Sequence, residues 1–306
     1  MENVNVRTDL ALELNEAVDK SDSRYSGVMV RERIDPVSSV KVTTLEILND
    51  EGEKLFNREA GTYVTLEADE LGVSDEIYSE RVVELLSIQI GELLKPCVKN
   101  NSSVLVIGLG NREVTADSLG PCVVERLLIN RHLSRENLHG EEHGNITEEA
   151  KEKSEGGSIG EGHVLKLSAL TPGVMAQTGI ETAQIIKGIV RETKPGIVIA
   201  IDALAARNTE RLNTTVQLSN RGINPGSGVG NHRVGITYDS IGVPVLAIGV
   251  PTVIDAATIV SDVTKDWSKV PKHLADMYVT PKDVDACVRT IAEIIADSIN
   301  KVVYSW

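Results

Sequence analysis

Apolar residues along this chain follow two rhythms. Over residues 27–66 short runs alternate apolar and polar positions: Gly27-Val28-Met29-Val30-Arg31-Glu32, Val40-Lys41-Val42-Thr43-Thr44-Leu45-Glu46-Ile47 and Gly61-Thr62-Tyr63-Val64-Thr65-Leu66. Alternation with period two predicts half-buried strands, and Asn49-Asp50-Glu51-Gly52 reads as a turn between them. From residue 76 the period lengthens. Ile77, Val82, Leu85, Leu86, Ile88, Ile90 and Leu93 recur at helical spacing over 76–95, and Pro96 closes the segment.

Unbroken aliphatic runs follow. Val104-Leu105-Val106-Ile107-Gly108-Leu109-Gly110 predicts a buried strand entering a glycine turn, with a helix over 118–131 that carries Pro121 in its first turn. Thr171-Pro172-Gly173 offers an N-cap threonine with proline at the first helical position, and the expected helix runs through Ile180, Ala183, Ile186, Ile189 and Val190 to Lys194-Pro195-Gly196. Strands are expected at 197–201 and 243–250, and a final helix over 283–299. Strands without alternation are buried on both faces, which implies parallel pairing through right-handed crossovers. The expected class is α/β: a twisted, mostly parallel central sheet with helices on both faces, plus a small antiparallel sheet or hairpin from the N-terminal third.

Polar stretches mark the remaining divisions. Residues 1–24 are charged around one patch, Leu10-Ala11-Leu12, and read as a mobile N-terminal arm; residues 25–306 read as a single domain. Within it, residues 135–163 are rich in Glu, Gly and Lys and read as an exposed insertion.

Composition adds limits. Hydrophobic residues make up 41% of the 306 positions but aromatics only 3%, so the core must be aliphatic. A net charge of −14 opposes direct binding to nucleic acid or anionic lipid and favours a basic substrate or peptide. No apolar run approaches the ~20 residues of a membrane span, and the N-terminus lacks a signal-like core, so a cytoplasmic protein with no membrane association is expected. Cys97, Cys122 and Cys287 are far apart and odd in number, and read as structural.

In an open parallel sheet, ligands gather beyond the carboxyl ends of the strands, and an aspartate stands near two of these ends. Asp202 follows the 197–201 strand in Ile201-Asp202-Ala203-Leu204-Ala205, and Asp117 precedes Ser118-Leu119-Gly120-Pro121. Each has an ordinary explanation: Asp117 as a helix N-cap, Asp202 as an acid satisfied by loop amides. Side by side, however, like charges share a proton, leaving one acid to activate water and the other to polarise a carbonyl. Gly108-Leu109-Gly110 lacks the third glycine of a dinucleotide fingerprint, and Glu113 would repel a pyrophosphate. The glycine-rich loop 224–233 has no Gly-Lys-Ser/Thr ending and is no P-loop, but its His232 is a candidate third ligand for one divalent metal ion beside the two aspartates. His132, His139, His143 and His163 are too irregularly spaced for a metal site. Arg207 and Asn208 open a polar stretch that either orients a peptide, with His232 as a further candidate substrate-binding residue, or forms a solvated loop.

Several segments together resemble the spore germination protease family: Val6-Arg7-Thr8-Asp9-Leu10-Ala11, Gly61-Thr62-Tyr63-Val64-Thr65-Leu66-Glu67-Ala68, Gly108-Leu109-Gly110-Asn111 with Asp117-Ser118-Leu119-Gly120-Pro121, Thr171-Pro172-Gly173-Val174-Met175, and Ile201-Asp202-Ala203-Leu204-Ala205. The resemblance implies an endopeptidase that cleaves small acid-soluble spore proteins early in germination, in the cytoplasm of the forespore and spore core. It also implies a homotetrameric zymogen that removes its own propeptide. Thr8-Asp9-Leu10-Ala11-Leu12-Glu13 is similar to the family's substrate pattern, which places the processing bond near Asp9–Leu10. The family has been classed outside the serine, cysteine and metallo types, implying Asp117 and Asp202 as a dyad with no cofactor. It is also similar in fold to hydrogenase maturation endopeptidases, in which acids from the same two loops and a histidine bind metal, implying Asp117, Asp202 and His232 as the alternative. A non-enzymatic module that binds spore proteins is the remaining reading.

Overall fold

The computed structural model describes residues 8–17, 23–73, 75–98, 102–133, 164–226, 233–274 and 277–306. Nine strands among them make one mixed sheet: β1 (Val28–Ile34), β2 (Lys41–Ile47), β3 (Gly61–Glu67), β4 (Ser103–Gly108), β5 (Lys166–Leu170), β6 (Ile197–Ala206), β7 (Thr215–Ser219), β8 (Val245–Asp255) and β9 (Tyr278–Val279). Their order is β1-β2-β3-β7-β8-β6-β4-β5, with β9 added to β8. Strands β5, β4, β6 and β8 pair in parallel, whereas β1, β2, β3, β7 and β8 pair antiparallel. The class is α/β, and the antiparallel strands expected from the N-terminal third continue the main sheet instead of standing apart from it.

Alternation along each strand assigns its side chains to the two faces. Val104 and Val106 of β4 and Ile197, Ile199 and Ile201 of β6 face a core shared with α3 (Glu76–Leu94), α4 (Leu119–Val124) and α9 (Val284–Tyr304), the last helix, which follows α8 (Ala256–Thr264) in the chain. Leu105, Ile107, Val198 and Ala200 face the opposite side, covered by α6 (Thr182–Thr193) and α7 (Tyr238–Ile241), which follow α5 (Met175–Thr178) in the chain. Burial on both faces explains why these strands read as unbroken aliphatic runs.

Three local expectations change. Asn49 caps a helix, α2 (Asp50–Phe56), by accepting the Gly52 N–H at 3.0 Å, because an Asx side chain that suits a turn also suits an N-cap, and the buried Phe56 ties the helix down. The helix foreseen from Thr171 starts later, at Thr182: Gly173 and Gly179 both take left-handed φ and break the chain between them. The helix foreseen over 118–131 is α4 alone, and Asn130 beyond it bonds the Leu165 carbonyl and Leu167 N–H on the way to β5.

The N-terminal arm departs furthest from expectation over its described part. Leu10, Ala11 and Leu12 are buried, and α1 (Ala11–Ala17) packs against Leu45, Ile47 and Tyr63 on β2 and β3 and against Phe56 on α2. The 135–163 insertion lies outside the described residues, as do His139, His143 and His163.

Candidate active site

Strand β4 ends at Gly108, and the chain then folds back over the end of β6. The Leu109 N–H donates to the Ile201 carbonyl at 2.8 Å, and Gly110 turns with φ of 102°. A Cβ at Gly110 would stand 2.0 Å from the Asp117 carbonyl oxygen. Gly110 therefore serves a close approach between the loop and the 3-10 turn Thr115–Asp117. That approach sets Asp117: its Oδ2 accepts the Asn111 N–H at 2.7 Å. It is not the cap of α4, whose N-cap residue is Ser118 and makes no side-chain cap bond. Thr252 of β8 fixes the turn by donating its hydroxyl to the Ala116 carbonyl at 2.6 Å.

Asp202 lies inside β6, opposite Gly249 of β8, and is 5% exposed. Its Oδ1 accepts the N–H of its own neighbour Ala203 at 3.0 Å. Just beyond, the β6–β8 register slips between Leu204 and Ala205, a bulge that bends the strand past the site.

Asp117 and Asp202 line one cavity of about 340 Å³, together with Gly110, Gly173, Thr252 and Arg233. Burial, then the negative charges of Asp117 and Asp9, push the Asp202 carboxyl well above the ordinary carboxylate range, against the opposing pull of the Ala203 N–H and Arg233. Burial raises Asp117 too, against the Asn111 N–H and Arg233. Asp202 is thus the acid that keeps its proton, and Asp117 the one that ionises first. A poised base and a neutral acid in one low-dielectric space can activate water and polarise a carbonyl together.

Of the other residues singled out by the sequence, Asp9 lines this cavity, whereas Leu10, Arg207 and Asn208 do not. Asp9 lines it as a third carboxylate, its N–H donating to the Ala205 carbonyl at 3.1 Å and its Oδ2 accepting the Ala205 N–H at 2.9 Å. Leu10 is fully buried beside Leu204 and Ala206. The Arg207 guanidinium pairs with Asp262 at 2.8 Å, and Asn208 Oδ1 accepts the Glu210 N–H at 3.0 Å, while the backbone N–H groups of Arg207 and Asn208 donate to Glu13. His232 lies outside the described residues. Among the described residues no group of three or more His, Cys, Asp and Glu side chains has a geometry fit for a metal ion. The three cysteines are free, and none lines the cavity.

Sequence reasoning missed Arg233, the one cation lining the cavity among the described residues, and Gln217 of β7, which grips the chain at Asp9. Arg233 adjoins His232 in the glycine-rich loop, so a search for positive charge near two acids would have found it.

A mixed α/β sheet that brings the carboxylates of Asp117 and Asp202 into one cavity beside its parallel strands defines the class as α/β with an acid-lined pocket. A family model described as germination protease matches residues 4–275. The germination protease of Caldanaerobacter subterraneus subsp. tengcongensis is 40% identical over 96% of this chain and 93% of its own length. That of Clostridium acetobutylicum is 36% identical over 96% and 94%, and that of Bacillus pumilus 42% identical over 84% of this chain and 66% of its own. The chain belongs to the germination protease family, whose members are peptidases. Among solved structures, a [NiFe] hydrogenase maturation protease HycI from Thermococcus kodakarensis aligns over 70% of this chain and 98% of its own at 14% identity with a TM-score of 0.36, a likeness that carries no argument about the site. No described helix is long and apolar enough to cross a membrane.

Proposed function

We propose that this chain is a self-activating endopeptidase that opens the degradation of small acid-soluble spore proteins in the spore core, with Asp117 and Asp202 as a proton-sharing dyad. The observation that carries the reading is the enclosure of both carboxylates in one cavity, where burial raises each of them. Asp117, ionised, takes a proton from water as the oxygen attacks the peptide carbonyl. Asp202, neutral, donates its hydrogen bond to the carbonyl oxygen as negative charge develops there. Collapse of the tetrahedral intermediate breaks the C–N bond and passes a proton to the leaving amine. Arg233 offsets the clustered negative charge and keeps Asp117 ionisable.

Folded Asp117→Asn and Asp202→Asn variants are each expected to lose activity on a spore-protein substrate by at least about 100-fold, the usual worth of a positioned acid or base. Near-normal cleavage by either, read from new peptide termini in mass spectra, would falsify the dyad. The dyad works with one proton present, so rate against pH should be bell-shaped. Because both groups are raised, its acid limb should lie above the ordinary aspartate range. The competing donor set, Asp117, Asp202 and His232 around a divalent ion, predicts that exhaustive chelation abolishes activity and that one ion restores it. The dyad predicts full activity in a preparation that elemental analysis finds metal-free.

Asp9, which lines the cavity, with Leu10 buried beside Leu204 and Ala206, supports self-processing at the bond between them. Incubated full-length protein should yield a chain beginning at Leu10 by N-terminal sequencing, and sedimentation should report a four-chain mass.

A further inference from the structure

The two acids of the cavity stand on unlike supports. Asp202 belongs to β6, inside the sheet and opposite Gly249 of β8. Asp117 ends a loop whose residues 112–115 are exposed, and it is itself only half-buried. A side chain on a strand inherits the precision of the strand, whereas one on a loop needs further ties to keep a productive geometry. Several ties near Asp117 close the loop on itself. The Asn111 N–H that grips its carboxylate at 2.7 Å comes from the same loop, as does the Ser118 hydroxyl that donates to the Thr115 carbonyl at 2.8 Å. Gln177 reaches Asn111 Oδ1 from α5 at 3.1 Å, but from an exposed position. Thr252 differs from all of these, because its bond runs from β8, the neighbour of β6, to the residue just before Asp117.

The local course of β8 explains how a strand residue reaches that far. Leu204 stands opposite Pro251 and Ala205 opposite Val253, so Thr252 is the extra residue of the bulge. Proline has no N–H for a ladder, and within a strand flanked on both sides it belongs at a bulge, which makes Pro251-Thr252 the sequence signal for this one. A bulged residue leaves the ladder and its side chain is re-aimed. Thr252 is fully buried, its hydroxyl donates to the Ala116 carbonyl at 2.6 Å, and its own carbonyl accepts the Thr280 hydroxyl at 2.7 Å, just past β9. The residue is therefore held from behind while it holds the turn in front.

We infer that Thr252 is a positioning residue: the β8 bulge aims its hydroxyl at the Ala116 carbonyl, so that the turn carrying Asp117 is registered to the strand that flanks Asp202. Both carboxylates are thereby referred to one strand. The inference rests on Asp117 acting in the proposed hydrolysis for its purpose, but the brace itself can be measured apart from hydrolysis. Valine keeps the branched shape of threonine and lacks the hydroxyl; serine keeps the hydroxyl and lacks the methyl. The pair separates the bond from the packing.

Full-length Thr252→Val should lose about 10- to 100-fold in kcat on a spore-protein substrate, since a misplacement near 1 Å can cost about that much. KM should stay unchanged, the pattern of a contact used in the transition state alone, and Thr252→Ser should recover most of the loss. Hydrogen exchange supplies the measurement independent of activity. The Asn111 amide, bonded to the Asp117 carboxylate, should exchange about 10-fold faster in Thr252→Val and at the native rate in Thr252→Ser, while the β6 amides stay protected in both. If Thr252→Val exposes β6, Thr280→Val replaces it, because Thr280 is exposed and its hydroxyl holds Thr252 from behind; kcat and Asn111 protection should then fall together by a smaller margin. Native exchange at Asn111 in the valine variant, or equal losses in the valine and serine variants, overturns the inference even if Asp117 and Asp202 cleave substrate. Full activity of Asp117→Asn refutes the dyad instead, and faster Asn111 exchange with rescue by serine upholds the brace even then.

Discussion

Asp202 is buried in β6 opposite Gly249 of β8 with one hydrogen bond among the described residues, from the Ala203 N–H, and its environment opposes ionisation. Below the ordinary aspartate pKa the folded and unfolded chains both hold the proton, and the group costs nothing. As pH rises, the unfolded chain releases that proton while the folded one retains it, and stability falls until the raised folded pKa is passed. Asp202→Asn should therefore raise the melting temperature at neutral pH, on the order of 2 °C for each kcal/mol relieved in a chain of this size. The gain should vanish in scans below the ordinary aspartate pKa. Gly110→Ala places a Cβ against the Asp117 carbonyl at a left-handed φ; a loss of about 1–3 kcal/mol in denaturant titrations, with activity falling alongside, is expected. That Asp117 and Asp202 would lie on one cavity was legible in the sequence, because the ends of parallel strands are where an open sheet gathers its loops. The orientation of Asp117 was not, since it depends on the Gly110 turn and the Asn111 N–H, and Arg233 arrives from a segment more distant in the chain.

Among the elements, β7 shows why some structure was hidden. Thr215-Val216-Gln217-Leu218-Ser219 alternates like an edge strand with one wet face, yet all five residues are buried, because α1 and the segment before it cover the polar side. A strand with a polar buried face can be recognised only together with its cover, and that cover read as a mobile arm. Asn49 posed a related problem, since turn and cap use the same side-chain acceptor. The long helices α3 and α9 were legible because a single aliphatic stripe decides both their length and their packing. A bidentate contact joins the antiparallel and helical elements: Arg81 of α3 bonds both oxygens of Asp35, at 3.1 and 2.5 Å, and Ser38 adds two bonds. These partners hold the Asp35 carboxyl well below the usual range. Its contribution to stability is present above the ordinary aspartate pKa and lost as pH falls through the depressed one. Asp35→Ala should accordingly lower the melting temperature at neutral pH, by a margin that disappears in strong acid.

Across the whole molecule, the sheet joins a parallel half that carries the acids to an antiparallel half that supports the N-terminal segment, and β8 belongs to both. The class of fold could be read from the contrast between unbroken and alternating runs. The merger of the two halves could not, because it rests on β7, the strand whose pattern was concealed. The anchors of the segment also fall unevenly about the bond expected to be cut. Leu10, Ala11, Glu13 and Glu16, which pairs with Arg211 at 2.6 Å, all stand on its C-terminal side. Cleavage between Asp9 and Leu10 would leave them joined to the body of the protein. The segment would then remain part of the mature surface, covering the polar side of β7 in the cut chain as in the uncut one.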